Sequence, residues 1–185
     1  MNSANRFRVA AIVIAVLTTA YAAANIFAEA FSLRQPALPA NPSRISRQSI
    51  EPIAQLAAAI SPFRADLDAN YASTVALAAF QPRSDAALAT QVNVDAQERI
   101  IRVLKAAPHN SELWLLLALL RTQHKSDVRQ IAEPLKMSYF TAPNEARLMP
   151  LRIYTAALSD ALSDPDLKEL ARGDVRLLLM RQPDL

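Results

Sequence analysis

LWLLLALL, at positions 113–120, is the stretch of this 185-residue sequence that decides its fold. The run is apolar on every side of a helix, which predicts a helix surrounded by other elements. Eight residues are far too few to cross a bilayer, which takes about 20. Asn110 or Ser111 is placed to cap the beginning of this helix. We therefore expect it at the centre of a folded domain.

The composition around this run predicts an all-α fold. The chain has one glycine, Gly173, and no cysteine, while 52% of its residues are hydrophobic. The turns of an all-β protein need residues that accept a positive φ, above all glycine. A single glycine also argues against glycine-rich phosphate loops. The missing thiols exclude disulfides, cysteine nucleophiles and cysteine-ligated metals.

Caps, prolines and apolar spacing predict further helices on both sides of the central one. Their predicted starts are Ser49, Pro62, Ser84, Ser126, Pro143 and either Ser163 or Asp164. In the helix from Ser84, the spacing of Asp95 and Glu98 resembles a capping box and predicts a break near Asn93. In the helix from Ser126, Pro134 predicts a kink.

An apolar segment precedes this helical region. Arg6 and Arg8 come before Val9–Phe27, a stretch of 19 mostly apolar residues, which is long enough to span a bilayer. A basic start, an apolar middle and small residues such as Ala20 and Ala22 also describe a cleaved signal peptide. Two alternatives therefore stay open. One is a single-pass inner-membrane protein with a periplasmic C-terminal domain, and the other is a periplasmic or secreted protein released by cleavage.

The sequence divides into three parts: a signal-anchor or transmembrane helix at 1–31, a Pro-rich linker at 32–48 and a helical domain at 49–185. Prolines at 36, 39 and 42 predict an extended spacer. The net charge of +3 comes from residues 1–47, because residues 48–185 carry 15 basic and 16 acidic groups. A nucleic-acid-binding domain concentrates basic residues on its folded part. We therefore expect a membrane partner and no nucleic acid.

Two segments of the helical domain align at a period of 35 residues. Ala107–Leu116 matches Ala142–Leu151 through the shared Ala-Pro, a Leu, a bulky residue and a second Leu. Helix–turn–helix units of about 34 residues are typical of tetratricopeptide repeats, and residues 94–160 resemble that family. Trp114, Leu117 and Ala118 fit its pattern of large, Leu and small residues. The resemblance implies antiparallel helix pairs in a short solenoid, and an irregular helical bundle is the alternative.

The resemblance also implies a binding surface, since the first helices of tetratricopeptide pairs line a concave groove. The residues that it places on this groove as partner-binding are Glu112, Leu119, Gln123, Arg147 and Tyr154. The residues that we assign to the structural core are Trp114, Leu117, Leu148 and Leu151. Trp114 is expected to be buried where the helix pairs meet. The implied partner is a protein.

Nothing in the sequence predicts catalysis. His109 and His124 lie in turns without metal-ligand spacing, and the acids at 164, 166 and 169 suit the beginning of a helix. We expect no cofactor, no metal and no enzyme activity. The predicted function is a membrane-anchored interaction module. An accessory subunit of an envelope or polysaccharide export or biosynthesis machinery is the first alternative, and a small helical envelope hydrolase is the second.

Overall fold

The computed structural model describes residues 3–32, 38, 65–124 and 126–181. These residues form seven α-helices, one 3₁₀ turn and no strand, so the predicted all-α class is confirmed. The predicted helix from Ser49 and most of the predicted linker lie outside the described residues. The helices are α1 (Ser3–Ser32), α2 (Ala65–Ala79), α3 (Ala86–Ala106), α4 (Ser111–Gln123), α5 (Val128–Thr141), α6 (Met149–Leu158) and α7 (Pro165–Arg181), with the 3₁₀ turn at Asp160–Ser163.

The first helix, α1, is the predicted N-terminal apolar segment. Asn5–Phe27 is long and apolar enough to cross a membrane, as an N-terminal signal sequence also is, and none of it is buried in the protein. Its polar side chains bond within the helix. Thr19 Oγ1 donates to the carbonyl of Ala15, and Asn25 Nδ2 donates to the carbonyl of Tyr21, both at 2.8 Å. These groups therefore need no water to satisfy them.

The central helix is α4, which contacts α2, α3, α5 and α6. Seven of its thirteen residues are buried, all of them within the apolar run at 113–120. Helix contacts are most extensive within the consecutive pairs α2/α3, α4/α5 and α6/α7. Helices two apart also meet, α2 with α4, α4 with α6, and α5 with α7. An all-round apolar helix therefore has neighbours on all sides, as hydrophobic burial requires.

Three predicted helix starts are wrong, and in two of them a neighbouring aspartate caps the free N–H groups in place of the predicted serine. Asp85, not Ser84, caps α3, and its Oδ1 accepts from Ala87 and Leu88 at 2.9 and 3.2 Å. A carboxylate there also faces the positive end of the helix dipole. Asp127, not Ser126, caps α5 in the same way.

The third wrong start is that of α6, which begins at Met149 and not at Pro143. Turns occupy residues 143–148, and the N–H of Leu148 donates to the carbonyl of Glu145 at 3.0 Å. Pro150 then lies in the first turn of α6, where its missing N–H costs nothing.

The predicted break in α3 is also wrong. The helix runs through Asn93, whose buried amide donates to the carbonyl of Leu120 at 3.1 Å and to Gln123 Oε1 at 2.9 Å. Its own Oδ1 accepts from Gln97 at 2.7 Å. Asn93 therefore joins α3 to the end of α4 and does not interrupt its own helix.

Candidate interaction surface

The two predicted site residues at equivalent repeat positions lie in contact. Glu112 is in the first turn of α4 and Arg147 precedes α6, with Arg147 Nη2 at 3.3 Å from Glu112 Oε2. Glu145 flanks the pair, at 3.9 Å from Arg147 Nε. Exposed ion pairs contribute little to stability. The Arg147 side chain is 44% exposed and that of Glu112 is 22% exposed, so the guanidinium is the more accessible charge.

A residue of the N-terminal part lies against the same pair. Leu38 is only 2% exposed and belongs to the hydrophobic core of the helical domain. Burial raises the pKa of Glu112, while Arg147 and the backbone N–H of Leu38 lower it. At Leu38, therefore, the chain contacts the helical domain, while the rest of the predicted Pro-rich linker lies outside the described residues.

The other predicted site residues are not gathered around this pair. Leu119 is 4% exposed and lies in the core, so it offers no surface to a partner. Gln123 lies eleven residues along α4 from Glu112, about 16 Å away at 1.5 Å per residue, and it binds Asn93. Tyr154 is exposed on α6.

Trp114 is half-buried, which differs from the expected full burial. Its Nε1 donates to the carbonyl of Pro108 at 2.7 Å, and this bond keeps one edge of the indole near the surface. The ring lines a cleft of about 360 Å³ among α3, α4 and α5, beside Leu104 and Pro134. Leu117, Leu148 and Leu151 are buried. Trp114 thus lies at a helix junction, but with one face open to that cleft.

A buried polar cluster joins α5, α6 and α7, and the sequence analysis missed it. Arg152 is fully buried; its Nε donates to Ser138 Oγ at 3.0 Å, and its Nη2 donates to the carbonyls of Ser138 and Ala142. The guanidinium lies 4.7 Å from the centre of the Tyr139 ring. Asp174 of α7 is buried beside them. Such an arrangement anchors helix ends to one another.

The cluster leaves several polar atoms unsatisfied. Tyr139 Oη, Arg152 Nη1 and Asp174 Oδ2 make no hydrogen bond of good geometry to described residues. Burial raises the pKa of Asp174 to about 6, although the Arg152 charge and the Tyr139 hydroxyl lower it. Burial likewise raises the pKa of Tyr139. One feature of the sequence indicates the burial of Arg152. It lies four residues from Leu148 and four from Ala156, which places all three on one face of the helix.

The predicted acidic group at the start of α7 has a structural partner. Lys136 Nζ lies 2.7 Å from Asp164 and 3.1 Å from Asp166, and Asp164 also accepts from the N–H groups of residues 166 and 167. The hydrogen bond from Lys136 lowers the pKa of Asp164. Within the described ranges, no three His, Asp or Glu side chains are placed to hold a metal ion. The expected absence of a cofactor stays a prediction.

Comparisons of the chain with known protein families, curated proteins and solved structures found no match. The tetratricopeptide resemblance therefore stays a prediction from the sequence pattern.

Proposed function

We propose that this protein is a non-enzymatic, membrane-anchored interaction module. The observation that carries the anchor is α1, whose Asn5–Phe27 stretch is long, apolar and unburied by the rest of the protein. Leaving so many apolar side chains in water is unfavourable, at about 25 cal/mol per Å². A bilayer removes this cost, and the polar groups of α1 already bond within the helix.

The interaction role rests on the surface around Glu112 and Arg147. In our proposal the pairs α2/α3, α4/α5 and α6/α7 stack as a short tetratricopeptide-like solenoid, with α2, α4 and α6 as the first helices. Leu38 is an example of a segment bound at this surface. Its aliphatic side chain is buried, and its backbone N–H donates to the carboxylate of Glu112. The proposed ligand is an extended protein segment that makes the same contacts.

The anchor is tested by extraction and by topology. The full chain is expected to stay in the membrane fraction after high-salt and carbonate washes, because an inserted helix is held by apolar contact and not by charge. Protease added to intact spheroplasts should digest the helical domain and spare the N-terminus. Soluble protein lacking about the first 22–30 residues would instead establish a cleaved signal peptide.

The binding role is tested by freeing the surface from Leu38. In detergent, full-length Leu38→Ala should bind a labelled peptide of residues 33–48 saturably, and adding Arg147→Glu should weaken binding about tenfold. Gln123→Ala is the matched control, because this exposed residue lies about 16 Å from Glu112. Absence of saturable binding, or equal effects of the two substitutions, would remove the Glu112–Arg147 surface from the proposal.

A further inference from the structure

The last helix, α7, separates its charges between two sides. Lys168, Arg172 and Arg176, spaced by four residues, line a groove between α7 and α6. Three acids, at 166, 169 and 174, line the opposite groove between α7 and α5. Residues four apart share a helix face. The groove toward α6 is therefore lined by three basic residues and no acidic one.

This basic groove is also an apolar recess. It encloses about 710 Å³, and its walls include Leu162, Val175 and Leu179. Met180, at its end, is 71% exposed. Large apolar side chains beside basic ones on one face of a helix are typical of helices that lie in a membrane interface.

The position of Leu38 keeps the helical domain close to the end of the proposed anchor. Leu38 is buried in the helical domain and is six residues beyond Ser32, the last residue of α1. Six extended residues reach at most about 20 Å. If α1 spans a bilayer, the domain cannot move farther than this from the end of the anchor while Leu38 stays docked.

We infer that the α6/α7 groove docks on the surface of a bilayer that contains anionic lipids. This inference rests on the proposed anchor. The three cationic side chains meet lipid phosphates, and Val175, Leu179 and Met180 enter the headgroup region. Each cationic side chain near an anionic surface favours the docked state about fivefold at ordinary ionic strength. Arg172 also lies 3.3 Å from Glu169, but both side chains are exposed and the pair is weak.

The test uses the absence of cysteine in the chain. Full-length Met180→Cys is labelled with an environment-sensitive dye and reconstituted into vesicles. One set contains phosphatidylcholine alone, and in the other about one lipid in three is phosphatidylglycerol. The expected result is a blue-shifted dye that nitroxide-labelled lipids quench several-fold more in the anionic vesicles. High salt should reduce this difference, because it screens charge.

Matched variants separate charge from general proximity to lipid. Adding Arg172→Glu and Arg176→Glu should abolish the difference between the two lipid mixtures. Both side chains are exposed and line the open groove, so their replacement should leave the helical fold intact. The circular dichroism spectrum should therefore match that of the parent chain. A dye at Glu169→Cys, on the acidic side of the same helix, should report water in both mixtures.

Other outcomes overturn the inference. A dye at position 180 that reports water in both mixtures, in a chain that still resists carbonate, contradicts bilayer docking and leaves the anchor standing. A chain that carbonate extracts contradicts both. Quenching that is independent of lipid charge and of the arginines, or energy transfer between labelled copies, assigns the groove to a second copy of the chain.

Discussion

At the scale of single residues, the buried Arg152–Tyr139–Asp174 cluster is the feature that sequence reasoning could not supply. Arginine and aspartate are almost never fully buried unless they are paired, so residue type alone predicts an exposed Arg152. Only the meeting of three helices brings Ser138 and the carbonyl of Ala142 to its guanidinium. The neighbours that make burial tolerable are distant in sequence.

Asp174 makes the stability of the domain depend on pH. Its folded pKa of about 6 is above the ordinary value of 3.8, so the folded chain binds the proton more tightly between these values. This group therefore lowers stability as pH rises from about 3.8 to about 6, by on the order of 3 kcal/mol in full, and its effect is complete above about pH 6. We expect Asp174→Asn to remove this dependence and to leave stability at pH 7.5 equal or higher.

Urea unfolding between pH 4 and 8 checks this expectation. Asp164→Asn is the control, because the hydrogen bond from Lys136 lowers the pKa of this surface carboxyl. It should keep the fall in stability between about pH 4 and 6 that Asp174 causes. Equal pH profiles for the parent chain and Asp174→Asn would contradict the expectation. They would mean that Asp174 has the same pKa in the folded and unfolded chains.

At the scale of helices, α4 and α5 are joined by an interaction that compensates a proline. Pro134 lies inside α5 and has no N–H to donate to the carbonyl of Gln130, four residues earlier. Arg121 of α4 donates its Nη1 to that carbonyl at 2.6 Å. The sequence predicted a kink at Pro134, but not the residue that satisfies the freed carbonyl.

This interaction predicts non-additive substitutions. Arg121→Met removes the donor to the Gln130 carbonyl and should cost about 0.5–1.5 kcal/mol, because this bond is exposed and water can replace it. In Pro134→Ala the helix itself supplies an N–H, so the cost of Arg121→Met should be smaller by about 0.5 kcal/mol in that background. Thermal or urea unfolding of the four proteins measures the coupling. Additive effects would mean that Arg121 stabilises α5 through charge attraction to Glu133 or by packing alone.

The helices themselves were largely predictable, because their signals are local. The apolar run at 113–120, the cap at Asn110 and Pro165 after Asp164 each act within a few residues, and the structure places α4 and α7 there. The errors concern competition between neighbours. Both Ser84 and Asp85 are acceptable caps in the sequence, and only the geometry of the turn decides between them.

At the scale of the whole molecule, the sequence could not show how the N-terminal part meets the helical domain. Prolines at 36, 39 and 42 are typical of an extended spacer, and nothing local distinguishes Leu38 from an exposed residue. The structure buries it at the edge of α4. The sequence predicted that Glu112 and Arg147 share one surface, but not that they form an ion pair. The period of 35 residues aligns the two positions without specifying the distance between them.

Leu38 predicts that the helical domain depends on a residue outside the 49–185 region assigned to it. Leu38→Ala in the full chain should cost about 2–5 kcal/mol, the usual effect of removing a buried leucine side chain. Leu158→Ala is the matched control, because that leucine is 57% exposed on α6 and should cost less than about 0.5 kcal/mol. A chain of residues 33–185 should accordingly be more stable to urea than one of residues 49–185, and Leu38→Ala should remove most of the difference. Equal stability of the two truncated chains would mean that Leu38 contributes nothing to the free energy of unfolding. The limit of about 20 Å on the distance between anchor and domain would then no longer follow.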